Sequence, residues 1–285
     1  MSVVYAGQDG SHAEAAVEQL FPDDGDTVAV PTFRAVVEAV TTGEAERGVL
    51  AIESSVSGPV AETHDLLFDS GLAIVAETML PIHHCLAGRN GASVEEIRIV
   101  RSHPAALDQC RDLLVRMPNA VAVASATTAD AARLVAASGD PKEAAIAGER
   151  AAELHGLAIL AADIGDHPEA FTRFVAIAPF MRVDGGGENW RIAFSFVTSH
   201  EPGALHRALE PFGRHRIDLV QLVSRPIPHT PWRYRFDAVL AGHPLDPVVA
   251  ETLREARSRT RHLRLFGSYP AASAVISKGA ERAAS

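Results

Sequence analysis

Cysteine, aromatic residues, lysine and long apolar runs are all scarce in this sequence. Only two cysteines occur among 285 residues, Cys85 and Cys110, and their spacing fits neither a metal site nor a redox pair. That excludes a disulfide scaffold and points to reduced, buried thiols in a cytoplasmic protein. No apolar run approaches the roughly 18 residues of a membrane span. The start, Met1-Ser2-Val3-Val4-Tyr5, lacks the basic region and apolar stretch of a signal peptide. Lysine is reduced to Lys142 and Lys278, the other basic residues being arginine; a base-composition bias accounts for this as well as any function does. The formal charge of −10 speaks against broad contact with a phosphate backbone, so nucleic acid is not an expected partner. Thirteen histidines form no His-Glu-x-x-His pattern and no His/Cys cluster, so no metal is expected. The adjacent His83 and His84 are expected to project to opposite sides of a strand.

What is present is ordinary for a globular protein: 47% hydrophobic and 22% charged residues in a length suited to about two domains. Up to about residue 180, short apolar runs alternate with amphipathic stretches. Strands are predicted at Val3–Ala6, Thr27–Val30 and Arg47–Ile52, with helices at Ser11–Leu20 and Phe33–Thr42. The rhythm continues through strand Ile97–Arg101, helix Pro104–Val115, strand Ala120–Ala124 and helix Thr128–Ala137. Glu143–Ala147, Leu157–Ala161 and Thr172–Ala178 follow as strands. This predicts α/β layers with largely parallel strands over residues 1–182. Three glycines, Gly185-Gly186-Gly187, mark a linker at 183–189. Residues 190–272 then read strand-helix-strand-strand-helix-strand, a ferredoxin-like βαββαβ unit. An Ala- and Ser-rich tail, 273–285, is expected to fray.

Four segments put Ser or Thr just ahead of a predicted helix: Ser11, Ser54-Ser55, Ser102 and Thr127-Thr128. Helix N-termini gathered at one crevice attract anions, carboxylates above all. Ser11 with Glu14 also fits a capping box. Arg173, at the start of an apolar strand, is suited to a bidentate carboxylate contact, the alternative being a salt bridge to Asp163 or Asp166. Glu53 ends a buried strand, as an acid or base or as an internal ion-pair partner. Gly7-Gln8-Asp9-Gly10 falls short of a dinucleotide fingerprint.

Several motifs share an order and spacing. They are Gly7-Gln8-Asp9-Gly10-Ser11, Ala51-Ile52-Glu53-Ser54-Ser55, Asp65-Leu66-Leu67 and Ser102-His103-Pro104 with Gln109-Cys110. Thr127-Thr128-Ala129, Thr172-Arg173-Phe174, Gly203-Ala204-Leu205-His206, Ser224-Arg225-Pro226 and Gly267-Ser268-Tyr269-Pro270 continue the series. Over nearly its whole length the chain resembles the prephenate dehydratases that carry a C-terminal ACT domain. The resemblance implies a catalytic domain of two α/β lobes, similar to type II periplasmic binding proteins, followed by an ACT regulatory domain. It implies that prephenate loses its ring hydroxyl and CO₂ to give phenylpyruvate, without a cofactor, on the route to phenylalanine. Thr172, Glu53 and Gln109 then stand in catalytic positions, and Ser11, Ser54, Ser102, Thr127, Thr128, Arg173 and Phe174 in substrate-binding ones. Phenylalanine as effector is implied at Gly203, Ala204, Leu205 and His206 and at Ser224, Arg225 and Pro226, in a homodimer or homotetramer. The chain departs from the family at Ser54, where an asparagine belongs, at His12 and Ala13, at Ala170, and at Val223 in place of a glutamate. These departures keep a prephenate decarboxylase, an arogenate dehydratase and a weakly active phenylalanine sensor open as alternatives.

Overall fold

The computed structural model describes residues 2–23, 26–181, 189–227 and 230–272. The chain begins with β1 (Ser2–Ala6), α1 (His12–Leu20), β2 (Asp26–Val30), α2 (Phe33–Thr42) and β3 (Arg47–Ser54). It continues through β4 (Gly58–Pro59), α3 (Ala61–Ser70), β5 (Ala73–Pro81), β6 (Cys85–Gly88) and β7 (Ile99–Ser102). Next come α4 (Pro104–Asp108), α5 (Arg111–Arg116), β8 (Val121–Ala124), α6 (Thr128–Ser138), β9 (Glu143–Ala147), α7 (Glu149–Leu154), β10 (Ala158–Ala161) and β11 (Phe171–Ala178). The last elements are β12 (Trp190–Val197), α8 (Ala204–Arg214), β13 (Leu219–Pro226), β14 (Tyr234–Ala241), α9 (Pro247–Ser258) and β15 (His262–Pro270).

Among the described residues three sheets form: β2-β1-β3-β11-β5 with β4 beside β3, then β10-β6-β9-β7-β8, and finally β13-β14-β12-β15. The α/β lobes and C-terminal βαββαβ unit expected from the sequence are the observed fold class. Two compact units divide the chain: Met1–Val36, Val49–Gly58 and Met79–Phe174 form one, and Val37–Gly48, Pro59–Thr78 and Val175–Ser285 the other.

In the first unit, β9 is the central strand of its sheet and is buried from end to end, as its apolar run EAAIA requires. The charge that opens it, Glu143, is held by both Nε and a terminal nitrogen of Arg101 on β7, at 3.0 and 3.1 Å. A fork of this kind satisfies a carboxylate that burial otherwise penalises. Val100, Ile146, Leu86 and Cys110 fill one side of that sheet. On the other, the alanines of α6 and α7 allow close approach to Ala145 and Ala147.

Two expectations are refined here. β1 with β2, β7 with β8 and β7 with β9 pair parallel, as expected, but β6 pairs antiparallel with both β9 and β10. β6 has only four residues, Cys-Leu-Ala-Gly, too short to register as a period-two pattern. Likewise Pro104–Val115 is two helices, because Gln109 ends α4 and Cys110 leaves helical geometry at φ −125°, ψ 34°. The expected linker 183–189 lies, Asn189 apart, outside the described residues, and so does the expected tail 273–285.

In the second unit the βαββαβ element closes on Ile192, Phe194, Phe196, Phe212 and Leu240. The Phe194 ring stacks on Phe212 and on Phe196, at 5.6 and 5.9 Å between centroids. Gly267 lies at φ +157°, and a Cβ there would come within 2.0 Å of the Ile74 carbonyl oxygen on β5. Glycine at this position is demanded by backbone approach.

Candidate active site

The carboxyl-terminal end of β3 carries Glu53 and Ser54, and the start of β11 carries Thr172, Arg173 and Phe174. The strands meet at Ser55, whose N–H donates to the Phe171 carbonyl at 2.8 Å while its Oγ accepts from the Phe171 N–H at 2.9 Å. Two residues back on β3 and two forward on β11, Arg173 donates to a Glu53 oxygen at 2.7 Å. Arg173 is therefore not bridged to Asp163 or Asp166; Glu53 is its partner. Asp163 faces the His83 ring at 3.5 Å. Asp166 accepts from the backbone N–H groups of Arg111 and Asp112 and so caps α5.

Successive strand residues face opposite sides, so Thr172 and Phe174 share one face of β11 and Arg173 the other. Thr172 is half-buried and its hydroxyl has no hydrogen-bond partner among the described residues. Phe174 is buried in the core. Ser54 accepts from the N–H groups of Val56 and Ser57 at 3.3 and 3.2 Å, which closes the turn after β3. It does not cap α3, whose N-cap is Val60 with no side-chain bond.

Of the four expected hydroxyl-led helix starts, two exist. Ser11 caps α1 by accepting from the Glu14 N–H at 3.3 Å, and Glu14 reaches back to the Gly10 N–H at 2.8 Å. Thr127 caps α6 by accepting from the Asp130 N–H at 2.9 Å, and Gln8 donates to the same Thr127 oxygen at 3.4 Å. Thr128 is the first residue of α6 and is half-buried. Ser102 is fully buried and donates to the Ile146 carbonyl at 2.6 Å, so it braces β7 from within. Its neighbour His103 caps α4 instead, accepting from the Ala105 N–H.

Gln109 ends α4 between two partners. Its amide lies 3.3 Å from Ser57 Oγ, and its Oε1 lies 3.0 Å from His84 Nε2. His84 and His83 belong to the connection between β5 and β6, not to a strand; His83 is exposed and His84 buried. The edge of the His12 ring meets His84 at 6.4 Å. Burial, with His84 and His83 nearby, pushes His12 down to about 4. His12 lines a cavity of about 350 Å³ with Ser11, His83, Gly148 and Arg150. The sequence alone gave no reason to select Gln8, Ser57 or His84. Their signal is long-range hydrogen bonding, which no local pattern carries.

Of the expected effector residues, Gly203, Ala204, Leu205 and His206 line one cavity of about 480 Å³ in the βαββαβ unit, together with Arg233 and Arg261. Gly203, at φ +77°, starts α8 in left-handed geometry. Ser224, Arg225 and Pro226 end the edge strand β13 and do not line that cavity. Arg225 is instead paired to Asp65 on α3 at 2.7 Å.

No helix among the described residues is long and apolar enough to cross a membrane. Residues 3–181 match the family model described as prephenate dehydratase. An Arabidopsis thaliana protein described as arogenate dehydratase/prephenate dehydratase 2, chloroplastic, is 34% identical over 94% of this chain and 72% of its own length. The crystal structure of an Arthrobacter aurescens prephenate dehydratase in complex with L-Phe has a TM-score of 0.87 and 30% identity, covering 98% of this chain and 94% of that one. A structure described as a novel type of quorum-quenching acylase has a TM-score of 0.85 and 29% identity, covering 96% and 99%. The chain belongs to the prephenate dehydratase family.

Proposed function

We propose that this protein converts prephenate to phenylpyruvate, water and CO₂, acting as a carbon-oxygen lyase in phenylalanine biosynthesis. The observation that carries the reading is the uncommitted Thr172 hydroxyl on β11, one residue before the Arg173 that pairs with Glu53. In the reaction the bond from ring carbon to carboxylate breaks and its electron pair enters the ring. The bond to the ring hydroxyl breaks, and the departing oxygen takes up one proton from the medium to leave as water. Aromatisation supplies the driving force, and the elimination is redox-neutral. Thr172 donates a hydrogen bond to the departing oxygen, where charge develops. Arg173 fixes Glu53, and Gln109 lines the same site. The N-termini of α1 and α6, at Ser11, Thr127 and Thr128, hold the two carboxylates.

The effector reading is L-phenylalanine at the Gly203–His206 cavity, in a cytoplasmic homodimer or homotetramer, with Ser224-Arg225-Pro226 supplying an adjoining segment. Effector control requires that phenylalanine bind two states of the protein with different affinity. Incubation of the purified chain with prephenate at neutral pH tests the activity. Phenylpyruvate, with one proton consumed per turnover, is the expected outcome. A non-aromatic product that keeps the hydroxyl would instead establish a decarboxylase. Turnover of arogenate but not prephenate would move the substrate. Calorimetry with millimolar phenylalanine tests the effector site, and absence of heat there removes it.

A further inference from the structure

We propose that His84 is a positioning residue for this reaction, holding the side-chain amide of Gln109 in one orientation. The inference rests on the reading of Gln109 as a residue of the active site. His84 is only 5% exposed, and its Nε2 lies 3.0 Å from Gln109 Oε1. Its other nitrogen, Nδ1, is buried with no hydrogen-bond partner among the described residues.

These two facts select both a tautomer and an amide orientation. A carboxamide oxygen only accepts, so the proton of neutral His84 sits on Nε2 and Nδ1 is left as a bare lone pair. The reversed amide would donate to Nε2 and move the proton to Nδ1, burying an N–H with no acceptor. An orphaned buried donor is the costlier arrangement. His84 thus donates to Oε1, and the Gln109 NH₂ is turned toward Ser57 Oγ at 3.3 Å, in the turn that Ser54 closes. Burial also pushes the His84 ring toward its neutral form, with the bond from Gln109 opposing.

The backbone holds the same pair. The Ile164 N–H donates to the His84 carbonyl at 2.9 Å, and the Asp166 N–H donates to the Gln109 carbonyl at 2.7 Å. One three-residue segment therefore fixes both residues, and Asp166 additionally caps α5 right after Gln109. The break between α4 and α5 presents Gln109, and His84 determines which end of its amide is presented.

The test is a double-mutant cycle with prephenate turnover as readout: His84→Leu, Gln109→Leu and the double variant, with His84→Gln as the conservative replacement. His84→Leu is expected to lower kcat by about 10–100-fold, the scale known for removal of a partner that orients a metal-binding side chain. KM should change little, and His84→Gln, which retains a donor, should recover most of the rate. In the Gln109→Leu background, His84→Leu should cost nothing further. Equal losses from His84→Leu in both backgrounds would overturn the inference while leaving Gln109 in the site. Unimpaired turnover in Gln109→Leu would overturn the reading of Gln109 and the inference with it. Nitrogen NMR of the unaltered protein gives an answer that does not depend on any variant folding. The Nε2–H tautomer of His84 is expected, and an Nδ1–H tautomer contradicts the proposal.

Discussion

Glu53 and Arg173 lie 120 positions apart and meet at 2.7 Å, while the hydroxyl proposed to act with them, Thr172, faces the other side of its strand. A half-buried carboxylate is stabilised by such a partner, and the partner's position is what no local sequence pattern reports. Both residues are legible as candidates in the sequence, but the acidic partners it offers Arg173, as the alternative to a substrate carboxylate, are Asp163 and Asp166, not Glu53. The hydroxyl gives the sharpest prediction at this scale. Thr172→Ala should lower kcat by ~10²–10⁴-fold, the usual worth of a positioned proton-transfer or hydrogen-bonding group, and Thr172→Ser should retain much more. Steady-state kinetics at saturating prephenate decide it.

His12 gives a second prediction. Its folded value of about 4 lies below the ordinary histidine value of 6.5. The unfolded chain then binds the proton that the folded one refuses, so stability is complete above about pH 6.5 and falls as pH drops toward 4. The expected slope is on the order of 1 kcal/mol per pH unit across that window. Urea unfolding at several pH values should show it, and His12→Asn should flatten the curve. An unchanged slope in that variant contradicts the assignment.

At the scale of elements, most boundaries could be read from periodicity, because the strands and helices around them carry strong patterns. The helix starts were less legible, since a hydroxyl ahead of a helix has several uses. Ser11 and Thr127 do cap, Ser54 closes a turn, and Ser102 points inward because it is the last, buried residue of β7. Removing a true cap should matter: Thr127→Ala is expected to cost about 1 kcal/mol in urea-induced unfolding, whereas Ser54→Ala should leave α3 untouched. In the sequence Gly267 stands only as the start of the Gly267-Ser268-Tyr269-Pro270 motif; its structural reason is the Ile74 carbonyl oxygen, 2.0 Å from any added Cβ. Gly267→Ala must displace β15 from β5, and a loss of several kcal/mol or failure to fold is expected, read by circular dichroism and thermal melting.

At the scale of the whole molecule, the net charge of −10 was uninformative about the substrate, because charge acts where it is concentrated. The second unit shows this. Asp65 on α3 accepts from Arg225 of β13 and Arg235 of β14, both at 2.7 Å, and Arg235 also donates to Asp237 at 3.2 Å. Arg235 is almost wholly buried and lies over the Phe68 ring at 4.3 Å, and His64 faces Asp237 at 3.2 Å. Burial opposes ionisation of Asp65, but the hydrogen bonds from the two arginines outweigh it and lower its pKa. Nothing in the local patterns of β13, β14 or α3 announces this network, which joins residues up to 173 positions apart. Arg235→Met should strand Asp237 and cost about 3–5 kcal/mol, while the double variant Arg235→Met, Asp237→Leu should recover much of that loss. Equal destabilisation by the single and double variants, in urea titrations, would contradict the pairing.

The proposed reaction requires that the family fold in this chain perform decarboxylative dehydration despite Ser54, Ala170 and Val223. The most direct measurement follows prephenate with the purified protein at neutral pH, by phenylpyruvate absorbance and proton uptake, alongside Thr172→Ala. Stoichiometric phenylpyruvate from the unaltered chain, with turnover nearly abolished in the variant, is the predicted result. Phenylpyruvate formed equally by both proteins, or by neither, would contradict it.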